Sequence, residues 1–455
     1  MADSDVPESF SIIPEGGTPD ARVLMTRTPA GFSLPSHRCR DIPSLNEFIA
    51  KMFGLEVVTT ECVRDLSAGP ADPGPKVFAH EVLGCGRVAD HNAAWVSVQD
   101  LPGLALVAPE HREVVEVWLR ERRVDAAPAR GVPWACAGWF ETAASWMSER
   151  LEALGREPAG RVEQVDVRLW STLLRVPVTG GGFAYFKAVP PVSAHEPLLT
   201  RVLADRFPGR VPTVLAADEA RGWMLMEDFG PVIESEDPAE IVDAYLATMP
   251  ALARIQVELA GDVTTLDGLG CPNRRTRELP EFFAALLDDM DALRIGDGLG
   301  LTVEECKRLR SWTEEFAEIC DRLAQGGVPD SLVHSDAWRG NFTRSGSGPL
   351  IFDWAESAVG HPFLSLAVVR QDIRDVLPDG SADAAISRVT EEYLREWCVY
   401  ANPEDLAEIA RYSVAPGLVN RALEWHRSIA SLDVTRTGFY RYAVPVNLRR
   451  LLAFT

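Results

Sequence analysis

The sequence predicts an α+β chain of several domains, and three observations carry that prediction. Short strands alternate with helices up to about residue 125, three apolar strands crowd between residues 165 and 189, and the remainder is dominated by helical spacing. At 455 residues the chain is too long for one ordinary core. Its 46% hydrophobic and 25% charged residues fit a globular protein.

In the first part, residues 22–25 and 56–60 read as strands, 44–53 as a helix and 109–123 as a charged amphipathic helix. Residues 67–75 offer turn formers and nothing to bury, so they read as a surface loop, and residues 125–133 read as a linker. From 134 to 154, Trp139, Ala143, Trp146, Met147, Leu151 and Leu154 recur at helical spacing and define a connecting helix with one apolar face. Strands are predicted at 165–170, 173–178 and 184–189. The tip Thr179-Gly180-Gly181-Gly182 joins the last two as a hairpin turn, because no helix follows to complete a phosphate loop.

A further apolar strand leads into Met226-Glu227-Asp228-Phe229-Gly230. Residues 243–259 then place Leu246, Met249, Leu252, Ala253 and Ile255 on one helical face. Residues 281–293 continue as a helix bearing Asp288, Asp289 and Asp291.

A net charge of −22 opposes binding to nucleic acid or an anionic membrane surface, while it would tolerate or steer a cationic small molecule. No apolar stretch reaches membrane-spanning length, and the acidic start Met1-Ala2-Asp3-Ser4-Asp5 lacks the features of a signal peptide, so the expectation is a cytoplasmic protein. The eight cysteines form neither a Cys-x-x-Cys pair nor a cluster with histidine, which points to reduced thiols without zinc.

Chemistry concentrates in Leu332-Val333-His334-Ser335-Asp336-Ala337-Trp338-Arg339-Gly340-Asn341, followed by Leu350-Ile351-Phe352-Asp353-Trp354. A carboxylate and an amide share one loop, and a second carboxylate ends an apolar strand. Phosphoryl transfer needs little more than a poised base, hard oxygen ligands for Mg²⁺ and a cation for the phosphates. Lys187, near the end of an apolar strand, and Glu196, at a helix start, supply the cation and a group to steady it. Asp228-Phe229-Gly230 spells a protein-kinase metal triplet, but it precedes the loop it should follow, so the match reads as accidental.

On these motifs, residues from about 160 to 455 resemble the aminoglycoside phosphotransferase and choline kinase-like family. Its loop runs His-Gly-Asp-x-x-x-x-Asn, and its later strand ends in Asp-Trp. The resemblance implies a bilobal protein-kinase-like fold, with a small β-rich lobe at 159–232 and a large helical lobe at 233–455. It also implies ATP (or GTP) with Mg²⁺, and a small-molecule hydroxyl as acceptor: an aminoglycoside, an amino sugar or a nucleoside-type natural product. By the same resemblance Asp336 orients or deprotonates the acceptor, His334 braces the loop, and Asn341 and Asp353 bind Mg²⁺. Lys187 grips the phosphates, Glu196 holds Lys187, and Met226 and Asp228 border the nucleotide. Ser335, Trp338, His361 and Ser365 depart from the family pattern. Glu356, His361, Asp288 and Asp291 are candidate acceptor contacts.

The first 130 residues follow the order strand, Gly31-Phe32-Ser33-Leu34-Pro35, helix, Gly54-Leu55, which resembles a small α/β Nudix hydrolase domain. In that alignment Phe48, Lys51 and Met52 stand where the family carries metal-binding glutamates, which implies a degenerate domain, joined through a linker helix at 131–158 to the kinase-like part. Three alternatives remain open: a pseudokinase or nucleotide-dependent regulatory protein, a pyrophosphate hydrolase run by the first domain, and nucleotidyl transfer.

Overall fold

The computed structural model describes residues 6–15, 22–67, 69, 72, 74–84, 88–122, 131–345 and 348–455. The acidic start at 1–5, Cys85, part of the 67–75 loop and most of the 125–133 linker lie outside them. The chain divides into two units, Met1–Pro190 with Ser431–Arg441 and Pro191–Ala430 with Tyr442–Thr455.

The first unit opens with β1 (Ser9–Ile12), β2 (Arg22–Thr28), β3 (Gly31–Ser33) and β4 (Ser36–His37). It continues with α1 (Ile42–Phe53), β5 (Val57–Asp65), β6 (Lys76–Val82), β7 (Ala93–Ser97) and α2 (Glu110–Arg122). One sheet has the order β4-β1-β6-β5, and a second has the order β3-β2-β7. Strand alternation explains why β2 is buried on both sides. Val23 and Met25 join the cluster of Val115 and Trp118, whereas Leu24 joins Leu45 and Ile49 of α1.

Local chemistry fixes α1 at both ends. Asp41 accepts a hydrogen bond from the Ser44 amide at 2.8 Å, and Gly54 stops the helix at φ 70°. Lys51 and Met52 lie on its exposed side, with Lys51 paired to Glu47 at 2.6 Å.

The connecting helix α3 runs over Trp139–Ala153, beginning later than the apolar periodicity suggests. Trp134 instead occupies a separate turn at Pro133–Ala135, because Gly138 at φ 75° interrupts the backbone. Trp139 and Trp146 pack edge-on against Phe186 at 6.0 and 5.7 Å. β8 (Glu163–Val167), β9 (Thr172–Pro177) and β10 (Phe183–Ala188) pair antiparallel in sequence order. Gly180, Gly181 and Gly182 all hold positive φ, so the triple glycine is a hairpin tip.

Residues 431–441 return from the far end of the chain and close this unit. The Arg436 guanidinium pairs with Glu61 at 2.6 Å and with Glu121, and the Asp65 amide donates to the Thr435 carbonyl at 3.0 Å. Tyr440 meets Trp170 edge-on at 4.8 Å.

The second unit begins with α4 (Glu196–Arg206), the hairpin β11 (Val214–Asp218) and β12 (Trp223–Glu227), and the long helix α5 (Pro238–Leu259). There follow α6 (Val263–Gly268), β13 (Asn273–Arg274), α7 (Leu279–Asp288), α8 (Met290–Leu293), α9 (Val303–Ser311) and α10 (Thr313–Gln325). Next come β14 (Ser331–Val333), the hairpin β15 (Phe342–Ser345) and β16 (Gly348–Ile351), and β17 (Ala358–Gly360). The unit finishes with α11 (Leu366–Val376), α12 (Asp379–Arg395), α13 (Pro403–Tyr412), α14 (Val414–Ile429) and α15 (Ala443–Arg450). β17 lies between β13 and β14.

The single helix expected over 281–293 is two helices. Asp289 takes an extended conformation and accepts from the Ala292 amide at 3.0 Å, so it caps a new helix rather than continuing the old one. No described helix is long and apolar enough to cross a membrane.

The Arg436–Glu61 pair is buried, both side chains being only 7% exposed. Arg436→Ala removes a buried ion-pair partner of the Glu61 carboxylate and is expected to cost about 3–5 kcal/mol, read as a lower denaturant midpoint of the first unit in urea unfolding. An unchanged midpoint would contradict the closing role of this segment.

Candidate functional site

The loop that carries the motif is delivered by β14, all three residues of which are buried. A buried amide fixes that strand. Gln256 of α5 donates from Nε2 to the Leu332 carbonyl at 2.8 Å and to Ser365 Oγ at 3.0 Å. Its Oε1 accepts from Tyr393 at 2.6 Å, and its carbonyl accepts from Ser331 at 2.6 Å. Ser365, one of the departures from the family pattern, also accepts from the His334 amide at 3.0 Å.

His334 is 1% exposed, and burial lowers its pKa, which keeps the imidazole neutral. Its Nε2 lies 3.1 Å from the Phe352 carbonyl, and its ring is 4.6 Å from that of Trp354. This geometry locks the motif loop to the chain that follows β16.

Both oxygens of Asp336 are engaged. Asn341 Nδ2 donates to Asp336 Oδ2 at 3.1 Å and to the Asp336 carbonyl at 2.9 Å, while Arg421 Nη2 pairs with Oδ1 at 2.9 Å. With its amide nitrogen on Asp336, Asn341 keeps Oδ1 as the atom able to ligate a cation. A Cβ at Gly340 would stand 2.2 Å from the exposed Trp338 indole, so a larger residue there would require that ring to shift. Beneath the turn, the Arg339 amide donates to the Tyr245 hydroxyl at 3.0 Å, and Tyr245 donates to Asp372 at 2.5 Å. The Arg339 guanidinium also pairs with Asp372.

The β15–β16 hairpin brings the second carboxylate back to this loop. The Phe352 amide donates to the Asn341 carbonyl at 3.1 Å, and Asp353 follows at φ 62°. Among the described residues only Arg294 and Asp353 hold positive φ without being glycine, a conformation costing on the order of 1 kcal/mol for an L side chain. Asn341 and Asp353 are hard oxygen donors of the kind Mg²⁺ takes when phosphates complete its shell. Among the described residues no group of three or more His, Cys, Asp or Glu is arranged for a metal.

Helix α14 supplies the residues that sequence reasoning missed. Arg421 pairs with both Asp336 and Glu356, Asn420 Nδ2 donates to Ser335 Oγ at 3.0 Å, and the buried Glu424 pairs with Arg274 and Arg427 at 2.8 Å each. Burial pushes the Glu356 carboxyl up to about 7, against the pull of Arg421. The available signal was polar side chains at 420 and 424 on an otherwise apolar helix face.

The other predicted residues sit on other elements. His361 is 2% exposed and its Nδ1 accepts from the Phe363 amide at 3.3 Å, capping the turn Pro362–Ser365. Asp288 is exposed, 3.5 Å from Arg310, and Asp291 is exposed in the first turn of α8, so the acidic residues diverge; Asp289 pairs with His426 at 2.9 Å. Met226 is buried in β12, and Asp228 accepts from the Gly230 amide at 3.0 Å in an exposed turn. Glu196 is the fully buried first residue of α4. Lys187 belongs to the first unit, 8% exposed in β10. The seven described cysteines are all free thiols.

Residues 190–409 match the family model of the phosphotransferase enzyme family, a span holding His334, Asp336, Asn341 and Asp353. No curated protein matches the sequence. Among solved structures, a choline/ethanolamine kinase family protein from Mesorhizobium loti is similar at 17% identity and TM-score 0.47, covering 69% of this chain and 94% of that one. A macrolide 2'-phosphotransferase from Brachybacterium faecium is similar at 14% identity and TM-score 0.46, covering 67% and 98%. A choline kinase from Streptococcus pneumoniae is similar at 15% identity and TM-score 0.46, covering 68% and 99%.

Burial holds the His361 pKa down at about 3, against 6.5 in an unfolded chain. As pH falls from 6.5 towards 3 the unfolded state takes up a proton that the folded site refuses, so stability declines across that window. His361→Asn retains a capping side chain and should make this decline shallower, measured by urea denaturation at several pH values. Equal slopes for the two proteins would show that His361 does not titrate in this way.

Proposed function

We propose that this chain transfers the terminal phosphoryl group of ATP (or GTP) to a hydroxyl of a small molecule, with Mg²⁺ as cofactor. The observation that carries the reading is the hydrogen-bonded pair of Asp336 and Asn341, set beside an Asp353 held in a left-handed backbone conformation. The family match over residues 190–409 supports the same reaction class.

In this reading Asp336 accepts the hydrogen bond of the acceptor hydroxyl and receives its proton as the hydroxyl oxygen bonds to the γ-phosphorus and the bond to the departing nucleoside diphosphate breaks. Asn341 and Asp353 hold the metal, which when bound neutralises charge on the phosphates. Lys187 binds phosphate oxygens, Glu196 belongs to the nucleotide site, and Met226 and Asp228 border the base. His334, kept neutral and buried, holds the loop rather than exchanging protons with substrate. The proposed acceptors are aminoglycosides, amino sugars and nucleoside-type natural products, taken up by a bilobal, protein-kinase-like part that starts near residue 159.

For residues 1–130 the proposal is a degenerate Nudix-like domain. The placement of α1 between β4 and β5 supports it, and Phe48, Lys51 and Met52 offer a metal no oxygen.

The test is nucleoside triphosphate consumption with Mg²⁺ across a panel of amino sugars, aminoglycosides and nucleosides, with the product identified by mass. One acceptor should gain a phosphoryl group, and Asp336→Asn should lower kcat about 10²–10⁴-fold while nucleotide still binds. Nucleotide binding without product for any acceptor would replace this reading with a regulatory one. A product heavier by a nucleotidyl group would replace it with nucleotidyl transfer.

A further inference from the structure

Arg421 stands out because it performs two jobs from one buried place. Its side chain is 13% exposed, its guanidinium lies 4.9 Å from the Trp425 ring centroid, and its two terminal nitrogens reach different carboxylates, Asp336 and Glu356. The helix beneath it is tied down on both sides, through Asn420 to Ser335 and through Arg427 to the Ala355 carbonyl at 3.0 Å.

We propose that Arg421 is a positioning residue for the phosphoryl transfer assigned above: it fixes the rotation of the Asp336 carboxylate by holding Oδ1 while Asn341 holds Oδ2, so that the remaining lone pairs face the acceptor hydroxyl. Each carboxylate oxygen carries two acceptor sites, so one bond to each leaves capacity for the substrate O–H. A carboxylate on a single-bonded stem otherwise turns, and a displacement of about 1 Å at the reacting group can cost about 10²-fold in rate.

Glu356 completes the device. It takes the second arm of the fork, and the Trp425 ring covers the guanidinium, so Arg421 has one orientation available. A lysine could reach either carboxylate as a point charge but lacks the planar fork to hold both at fixed angle. Three of the carboxylates beside the loop are therefore matched internally, Asp336 and Glu356 by Arg421 and Glu424 by Arg274 and Arg427.

The inference rests on the proposed transfer reaction, and its test separates the two. In the full-length chain with Mg²⁺, ATP and an acceptor that turns over, Arg421→Ala should lower kcat about 10²-fold with the KM for ATP changed less than about threefold. Arg421→Lys should fall between, and ethylguanidine should restore part of the alanine variant's rate. In an Asp336→Asn background the same Arg421→Ala change should cost less than about threefold, because the residue acts through Asp336. An equal loss in both backgrounds, or a loss below about threefold in the wild-type background, overturns the proposal.

Arg421→Met combined with Glu356→Gln removes the fork without stranding a buried acid, which keeps the comparison open if the alanine variant does not fold. Absence of product from the wild-type chain sinks the proposed reaction alone. Crystal structures then decide Arg421: an Asp336 side chain that leaves its orientation in the Met/Gln variant supports the clamp, and an unmoved one overturns it.

Discussion

The side chain of Gln256 is the reference point of the second unit. A buried amide has two donors and one acceptor oxygen, and here it meets the β14 backbone, Ser365 and Tyr393 together. Groups so deep in protein are stable only when satisfied, because an orphaned one costs roughly 1–3 kcal/mol. The network therefore has one arrangement, and β14, α5, α12 and the turn before α11 are registered by it. The motif loop inherits that register through Ser365 and the His334 amide.

Features whose causes lie within a few residues were legible in the sequence. The end of α1 at Phe53 and the glycine hairpin between β9 and β10 required no distant partner, whereas the start of α1, read at 44, lies at Ile42 behind the Asp41 cap. The placement of Asp336 and Asn341 on one loop is of the same kind, five residues apart, though their hydrogen bond was not foreseen. Legibility failed where one residue had two local options. Asp289 is compatible with a helix interior, yet it caps α8 and meets His426, which is 137 positions away. It failed again where the partner is remote: Asn420 and Ser335 are separated by 85 positions, and an arginine on an amphipathic helix looks like surface until the loop beneath it is known. β6 was missed because His80 and Glu81 interrupt its apolar run, although His80 is fully buried and lies 3.0 Å from Ser11 Oγ.

Asp353 shows how the backbone and the chemistry compete. Glycine would occupy φ 62° without strain, so the position retains a carboxylate at the expense of local stability. The surrounding contacts hold it there: the Phe352 amide on Asn341 and the Phe352 carbonyl on His334 fix the residue that immediately precedes it. A side chain placed by such a turn points where a straight continuation of β16 would not send it.

The return of residues 431–441 to the first unit imposes an order on biosynthesis. About 240 residues of the second unit emerge from the ribosome between Pro190 and Ser431. At typical elongation speeds this interval lasts roughly 10–50 s. Throughout that time Glu61 lacks its contact with Arg436 and Trp170 its contact with Tyr440. The first unit is thus completed only after most of the second has been synthesised, so its last contacts form late even though most of its chain is made early.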